Sequence, residues 1–176
     1  TKSEGNDADP RFSPDGKRIL YTTVVKGFPQ IWLTNRDGTD AKMVTHGSQG
    51  NWSPDGKSIG FSMFVPAPKT WKIDMPEAPK GAHWTPAPRY ETTLHFKQDR
   101  VGFMESGNRH LFVVPADGGT PRQATSGNWS VGPRFDGLDG AAQWDWMPDG
   151  RTMVFTAFAD STADMNYVRS NIYAVD

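Results

Sequence analysis

The sequence predicts an all-β fold, a partial β-propeller of four-stranded antiparallel blades. Three observations carry that expectation. One phrase is written three times, as FSPDGKRILYTT at 12–23, WSPDGKSIGFSM at 52–63 and WMPDGRTMVFTA at 146–157. A second phrase, QIWLTNRDGTDAKMVTHG at 30–47, returns as HLFVVPADGGTPRQATSG at 110–127, and NIYAVD at 171–176 reads as its third opening. Composition agrees, with Gly 18, Pro 14, 7 Trp and 12% aromatic residues, so frequent turns separate aromatic-rich strands.

The first phrase is a turn followed by a strand. Ser13-Pro14-Asp15-Gly16 places Pro where a type I turn needs φ near −65°, with Ser at the first corner and Gly at the last. Alternation follows, with Ile19 and Tyr21 on one face and Leu20 and Thr22 on the other. The equivalents are Ile59 and Phe61 against Gly60 and Ser62, then Met153 and Phe155 against Val154 and Thr156. Neither face is strongly polar, so both are expected to be covered. The second phrase reads as strand, Asp-Gly hairpin turn, strand. Together the phrases make four short strands repeating near every forty residues, the period of a propeller blade.

Blade one is expected over about 8–47. Blade two is expected over about 48–127, with an insertion at 64–109, and blade three over about 141–176, stopping at its third strand. Six prolines fall from Pro66 to Pro88 within the insertion, which excludes a helix or a central strand there. That stretch reads as an extended surface loop, followed by a strand pair across TTLHFKQDRVGFM. A shorter connector, NWSVGPRFDGLDGAA, joins blades two and three. Closed propellers use four to eight blades. The expectation is therefore an incomplete propeller domain, part of a larger protein, whose open blade faces would favour self-association.

Bulk properties narrow the function. Net charge is −1, from 19 basic and 20 acidic residues mixed along the chain, with no basic stripe for nucleic acid. No apolar run approaches a membrane span. With no cysteine, disulfides, thiolate metal sites and Cys nucleophiles are excluded. The start, TKSEGNDADP, has neither Met nor a signal-peptide core and reads as a processed or truncated end.

The repeats resemble those of TolB-like propellers. The stretch PRYETTLHFKQDRVGFMESGNRHLFVVPADGGTPRQATSG at 88–127, with FSMFVPAP at 61–68, is similar to the N-terminal propeller of prolyl oligopeptidase-family serine peptidases, in the acylaminoacyl-peptidase-like branch. That resemblance implies a propeller covering a C-terminal α/β-hydrolase domain, where it would gate and select peptide substrates for a serine nucleophile. It also implies an exported, periplasmic setting.

No catalytic, cofactor or metal site is expected in this chain. A nucleophile elbow needs G-x-S-x-G, and the nearest string, Gly127 to Gly132 around Ser130, is one residue too long and lies in a connector. His46, His83, His95 and His110 show no ligand spacing and read as structural or solvent-facing. Asn35, Asp37 and Asp40, or Asp136 and Asp139, have oxygen ligands for calcium, but ordinary turn chemistry accounts for them. Phe12, Trp52 and Trp146 share one repeat position and are expected in the core. Trp71 and Trp84 are expected to pin the insertion onto the blade, the alternative being a substrate entrance. Lys69, Lys72 and Lys80 read as a solvated face. Three rival readings remain: a TolB-like periplasmic module that binds proteins, a propeller attached to another hydrolase such as an amidohydrolase, and a lectin-like propeller.

Overall fold

A computed structural model describes residues 5–68, 71, 74–85, 88–94, 96–99, 102–132, 143–166 and 169–176. Three antiparallel sheets follow one another along the chain, and no helix occurs among these residues. Blade one is a meander of β1 (Asn6–Phe12), β2 (Arg18–Val25), β3 (Phe28–Asn35) and β4 (Lys42–His46). Blade two contains β5 (Ser48–Trp52), β6 (Ser58–Pro66), β9 (Gly107–Pro115) and β10 (Arg122–Gln123), in the same spatial order. Blade three contains β11 (Trp144–Trp146), β12 (Met153–Ala157) and β13 (Asn171–Val175). The insertion carries its own small pair, β7 (Lys97–Gln98) with β8 (Gly102–Phe103), inside the stretch where a strand pair was expected.

The repeated turn explains why each blade starts alike. Gly16, Gly56 and Gly150 each donate a backbone hydrogen bond to the residue three before, at 2.8–3.0 Å. Their φ angles of 69°, 70° and 67° lie in the left-handed region, which favours glycine. Ser53 Oγ donates to Asp55 Oδ1 at 2.7 Å and accepts from Ser58 N at 3.0 Å, while Lys57 N donates to Asp55 at 3.0 Å. Ser13 and Asp15 repeat this network. In the third copy Met147 replaces the serine, and Asp149 accepts instead from Arg151 N, Thr152 N and Thr152 Oγ1.

Blades bury their faces against each other. Leu20, Ile31 and Leu33 of blade one form one core with Trp52, Ile59, Phe61, Phe112 and Val114 of blade two. Leu111 of blade two forms a second core with Met153, Phe155 and Ala157 of blade three. Each buried side chain of this size contributes about 1.5–3 kcal/mol. That is why the two faces of β2 and β6 are both apolar or only weakly polar.

Large and small residues alternate across the junctions. A Cβ on Gly50 would stand 3.0 Å from Leu20, and one on Gly60 would stand 2.7 Å from the Trp144 ring. Gly50 and Trp144 occupy one repeat position, and Leu20 and Gly60 another. The bulk therefore comes from blade one at the first junction and from blade three at the second.

The insertion departs slightly from its expected limits. β6 stays paired with β9 from Ser58↔Pro115 out to Pro66↔Gly107, so the inserted residues are 67–106. Pro66 is tolerated because it ends its strand.

Candidate functional site

The insertion and the loop at 158–170 leave their blades at the same place, between the second and third strands of each sheet. The corresponding turn in blade one is only Lys26–Gly27. One rim of the propeller therefore carries nearly all the added chain. The two loops touch, since Leu94 N donates to Asp164 Oδ2 at 2.6 Å.

This rim is rich in exposed aromatics. Trp71 packs on Tyr90 at 5.3 Å between ring centroids, and Phe96 on Phe103 at 6.3 Å. The Arg89 guanidinium lies over Phe103 at 4.7 Å, pairs with Glu91 at 2.7 Å and donates to the Met104 carbonyl at 3.0 Å. Lys97 approaches the same ring at 5.7 Å. Trp84 Nε1 donates to the Pro76 carbonyl at 2.7 Å. These contacts of Trp71 and Trp84 lie within the insertion. Proline supplies no N–H, so the indole satisfies a carbonyl that the local backbone leaves free.

The remaining sequence candidates fall into structural roles. Ser130 Oγ accepts from Arg109 N at 3.1 Å and lies 3.4 Å from Asn108 Oδ1, tying the connector to β9. His110 is buried in the interior of β9. Its Nδ1 lies 3.2 Å from Thr125 Oγ1, which itself accepts from Leu111 N at 2.9 Å. Burial holds the His110 imidazole below its ordinary value of 6.5, opposed by a hydrogen bond to the Gly127 backbone. His46 and His83 are exposed. His95, Lys69, Lys72, Asp136 and Asp139 lie outside the described residues, and Lys80 is exposed.

The acidic turn uses its own oxygens. Asp37 Oδ1 accepts from Thr39 N and Oγ1 at 3.0 and 2.7 Å, and these bonds hold its carboxyl below the ordinary 3.8. Asn35 Nδ2 donates to Asp40 Oδ2 at 2.9 Å. No cluster of three metal-ligating side chains occurs among the described residues.

The shared aromatic position splits. Trp52 is buried under Arg18, whose guanidinium lies 4.9 Å from the ring, and Trp146 packs against the second core. Phe12 is 62% exposed, which corrects the expectation of core packing. Trp52 and Trp146 each lean on the preceding blade, donating to the carbonyls of Arg11 at 3.3 Å and Asn51 at 3.4 Å. No described blade precedes Phe12.

Sequence reasoning missed Trp129. It stacks on Phe155 at 5.8 Å and meets His110 edge-on at 5.6 Å, wedged between blades two and three. Its signal was a lone Trp in a polar connector beside a blade boundary.

Comparison with solved structures follows this geometry. The acylaminoacyl peptidase of Pyrococcus horikoshii aligns over 96% of the chain with a TM-score of 0.58 and 16% identity. TolB from Acinetobacter baumannii aligns over 99% with a TM-score of 0.51 and 17% identity. The chain has the fold of three β-propeller blades. In sequence, this propeller is 28% identical over 170 residues, 93% of its length, to the uncharacterized peptidase YuxL of Bacillus subtilis. The propeller spans 24% of that relative, 23% of the acylaminoacyl peptidase and 30% of TolB. No family profile matches it. No helix among the described residues is long and apolar enough to cross a membrane.

Proposed function

We propose that this propeller is the non-catalytic gate of a serine peptidase, selecting peptides for a C-terminal α/β-hydrolase domain outside the chain. The observation that carries the reading is the likeness to a curated peptidase along 93% of the chain, which takes in the insertion as well as the repeats. The departure of the insertion from between β6 and β9 supports it, because this reading passes substrate over that rim. Gating here means exclusion. A rigid ring of blades admits extended peptides and turns folded proteins away, without touching the reacting atoms.

The test is the reading frame downstream of Asp176 in the parent gene, followed by an assay of its product. The reading expects more Ser-Pro-Asp-Gly units, then G-x-S-x-G, then Asp and His in that order. It also expects that replacing 67–106 with a two-residue turn raises kcat/KM for large substrates relative to short peptides. A frame that ends without a nucleophile elbow would sink it. That outcome would favour the second reading, a TolB-like protein-binding module, for which the 99% coverage of a TolB structure speaks.

A further inference from the structure

We infer that a cleft at the junction of blades one and two binds a small molecule carrying both a carboxylate and a hydrogen-bond donor, of which a free α-amino acid is the simplest. The cleft lies at the opposite strand ends from the insertion and does not depend on the peptidase reading.

Strand register places its lining. Arg18 pairs with Asn35, and Leu33 with Lys42, so these four side chains share the face of blade one that carries Leu20 and Ile31. Leu20 and Ile31 are closed off by blade two. Further along the same face, Arg18, Leu33, Thr34, Asn35, Asp40 and Lys42 line a cleft of about 310 Å³, at the lower end of the range for small-molecule sites. Arg18 crosses to blade two, where its Nη1 donates to the Ala116 carbonyl at 3.5 Å and to Asp117 Oδ1 at 3.3 Å. The site therefore belongs to an internal junction with both blades described.

The repeat shows that a blade junction does not require this polar set. At the positions of Arg18, Leu33, Thr34, Asn35 and Asp40, the second copy has Ser58, Val113, Val114, Pro115 and Thr120. Only Lys42 keeps a counterpart of like charge, Arg122. Blade two packs on blade three without a guanidinium or an amide at this place.

The chemistry of the lining selects the ligand. Arg18 uses Nη1 on blade two, while its Nε and Nη2 and the Lys42 ammonium have no partner among the described residues. The Asp117 side chain is 95% exposed, so its hold on Arg18 is weak. The free guanidinium edge offers two parallel N–H groups, which match a carboxylate, and Lys42 adds a second positive charge. Asp40 has the opposite preference. Its Oδ2 accepts from Asn35 Nδ2 at 2.9 Å, and its carboxylate repels a plain anion but accepts from an ammonium. Leu33 supplies an apolar patch for a side chain. An amino acid meets all three demands.

The test is a titration of L-leucine into the 176-residue chain, followed by proton–nitrogen NMR. The Thr34 and Asn35 amides, the Arg18 Nε–H and the Trp52 indole beneath Arg18 should shift saturably, with half-saturation on the order of 1 mM. The Trp129 indole at the second junction should stay in place. Isocaproate, which lacks the ammonium, should bind about tenfold more weakly, and isoamylamine, which lacks the carboxylate, should leave the spectrum unchanged. Arg18→Ser gives blade one the residue that blade two already has there and should abolish the shifts with an unchanged far-UV spectrum. Asp40→Asn suits the left-handed φ of 52° and should reverse the order of leucine and isocaproate. No saturable shift up to the solubility limit of leucine would overturn the site, as would shifts that persist in Arg18→Ser. Isocaproate binding as tightly as leucine to the unaltered chain would overturn the choice of ligand.

Discussion

Ser53 and Asp55 show how much a four-residue turn depends on two side chains. Ser53 is buried, and its hydroxyl serves the Ser58 amide while donating to Asp55. Ser53→Ala should therefore cost about 1–3 kcal/mol, read from urea denaturation, since Ser58 N loses its side-chain acceptor. Acid should act on the same turns. Hydrogen bonds hold Asp15, Asp55 and Asp149 below 3.8, so the folded state binds fewer protons than the unfolded chain near that pH. Their contribution is present above pH 3.8 and disappears as pH falls through the folded values. His110 acts earlier. Its folded value lies below 6.5, so stability should begin to fall as pH drops through 6.5 and level off below the folded value. Denaturation midpoints between pH 7.5 and 5 check this, with His110→Gln expected to flatten that part of the profile. Gly60 marks the opposite kind of sensitivity. Gly60→Ala puts a methyl against the Trp144 ring and should cost about 1–3 kcal/mol by overpacking.

Strands and blades were legible at the scale of elements because period-two alternation and turn chemistry are local. Ser-Pro-Asp-Gly at 13–16 and 53–56 announces a turn whatever surrounds it, and the strand after it follows from Ile-x-aromatic. Junctions were legible only in part. The repeat says that Phe12, Trp52 and Trp146 occupy one place in a blade, but it does not say whether another blade stands beside that place. The partners of Trp71 and Trp84 within the insertion were not legible for a related reason. In a proline-rich stretch the partner of an indole N–H is set by which carbonyl lacks a backbone donor, and no periodicity records that. Trp129 was missed because it belongs to no repeat at all, yet it joins Phe155 and Tyr173 in one stack. Trp129→Ala should cost about 3–5 kcal/mol and loosen blade three before blade one, which hydrogen exchange resolved by peptide can follow.

For the whole molecule, the serine and histidine of greatest chemical interest serve packing. Ser130 is engaged in holding the connector, and His110 spends its ring on Thr125 and Gly127. Under the proposed gating role a fluorophosphonate probe should leave the purified chain unlabelled, and stoichiometric labelling would overturn that role.

The long excursion between β6 and β9 also bears on how the chain acquires its shape. Blade one pairs neighbours in sequence, with β2 and β3 joined by two residues, whereas β6 must wait for forty residues to be made before β9 exists. Closing a flexible loop of that length costs roughly 3 kcal/mol more than closing a two-residue one. Blade one should therefore form early on the ribosome and offer Leu20, Ile31 and Leu33 as a ready surface for Trp52 and Phe61. The second blade is then assembled on a template, and the slow kinetic step of the molecule is the late arrival of β9.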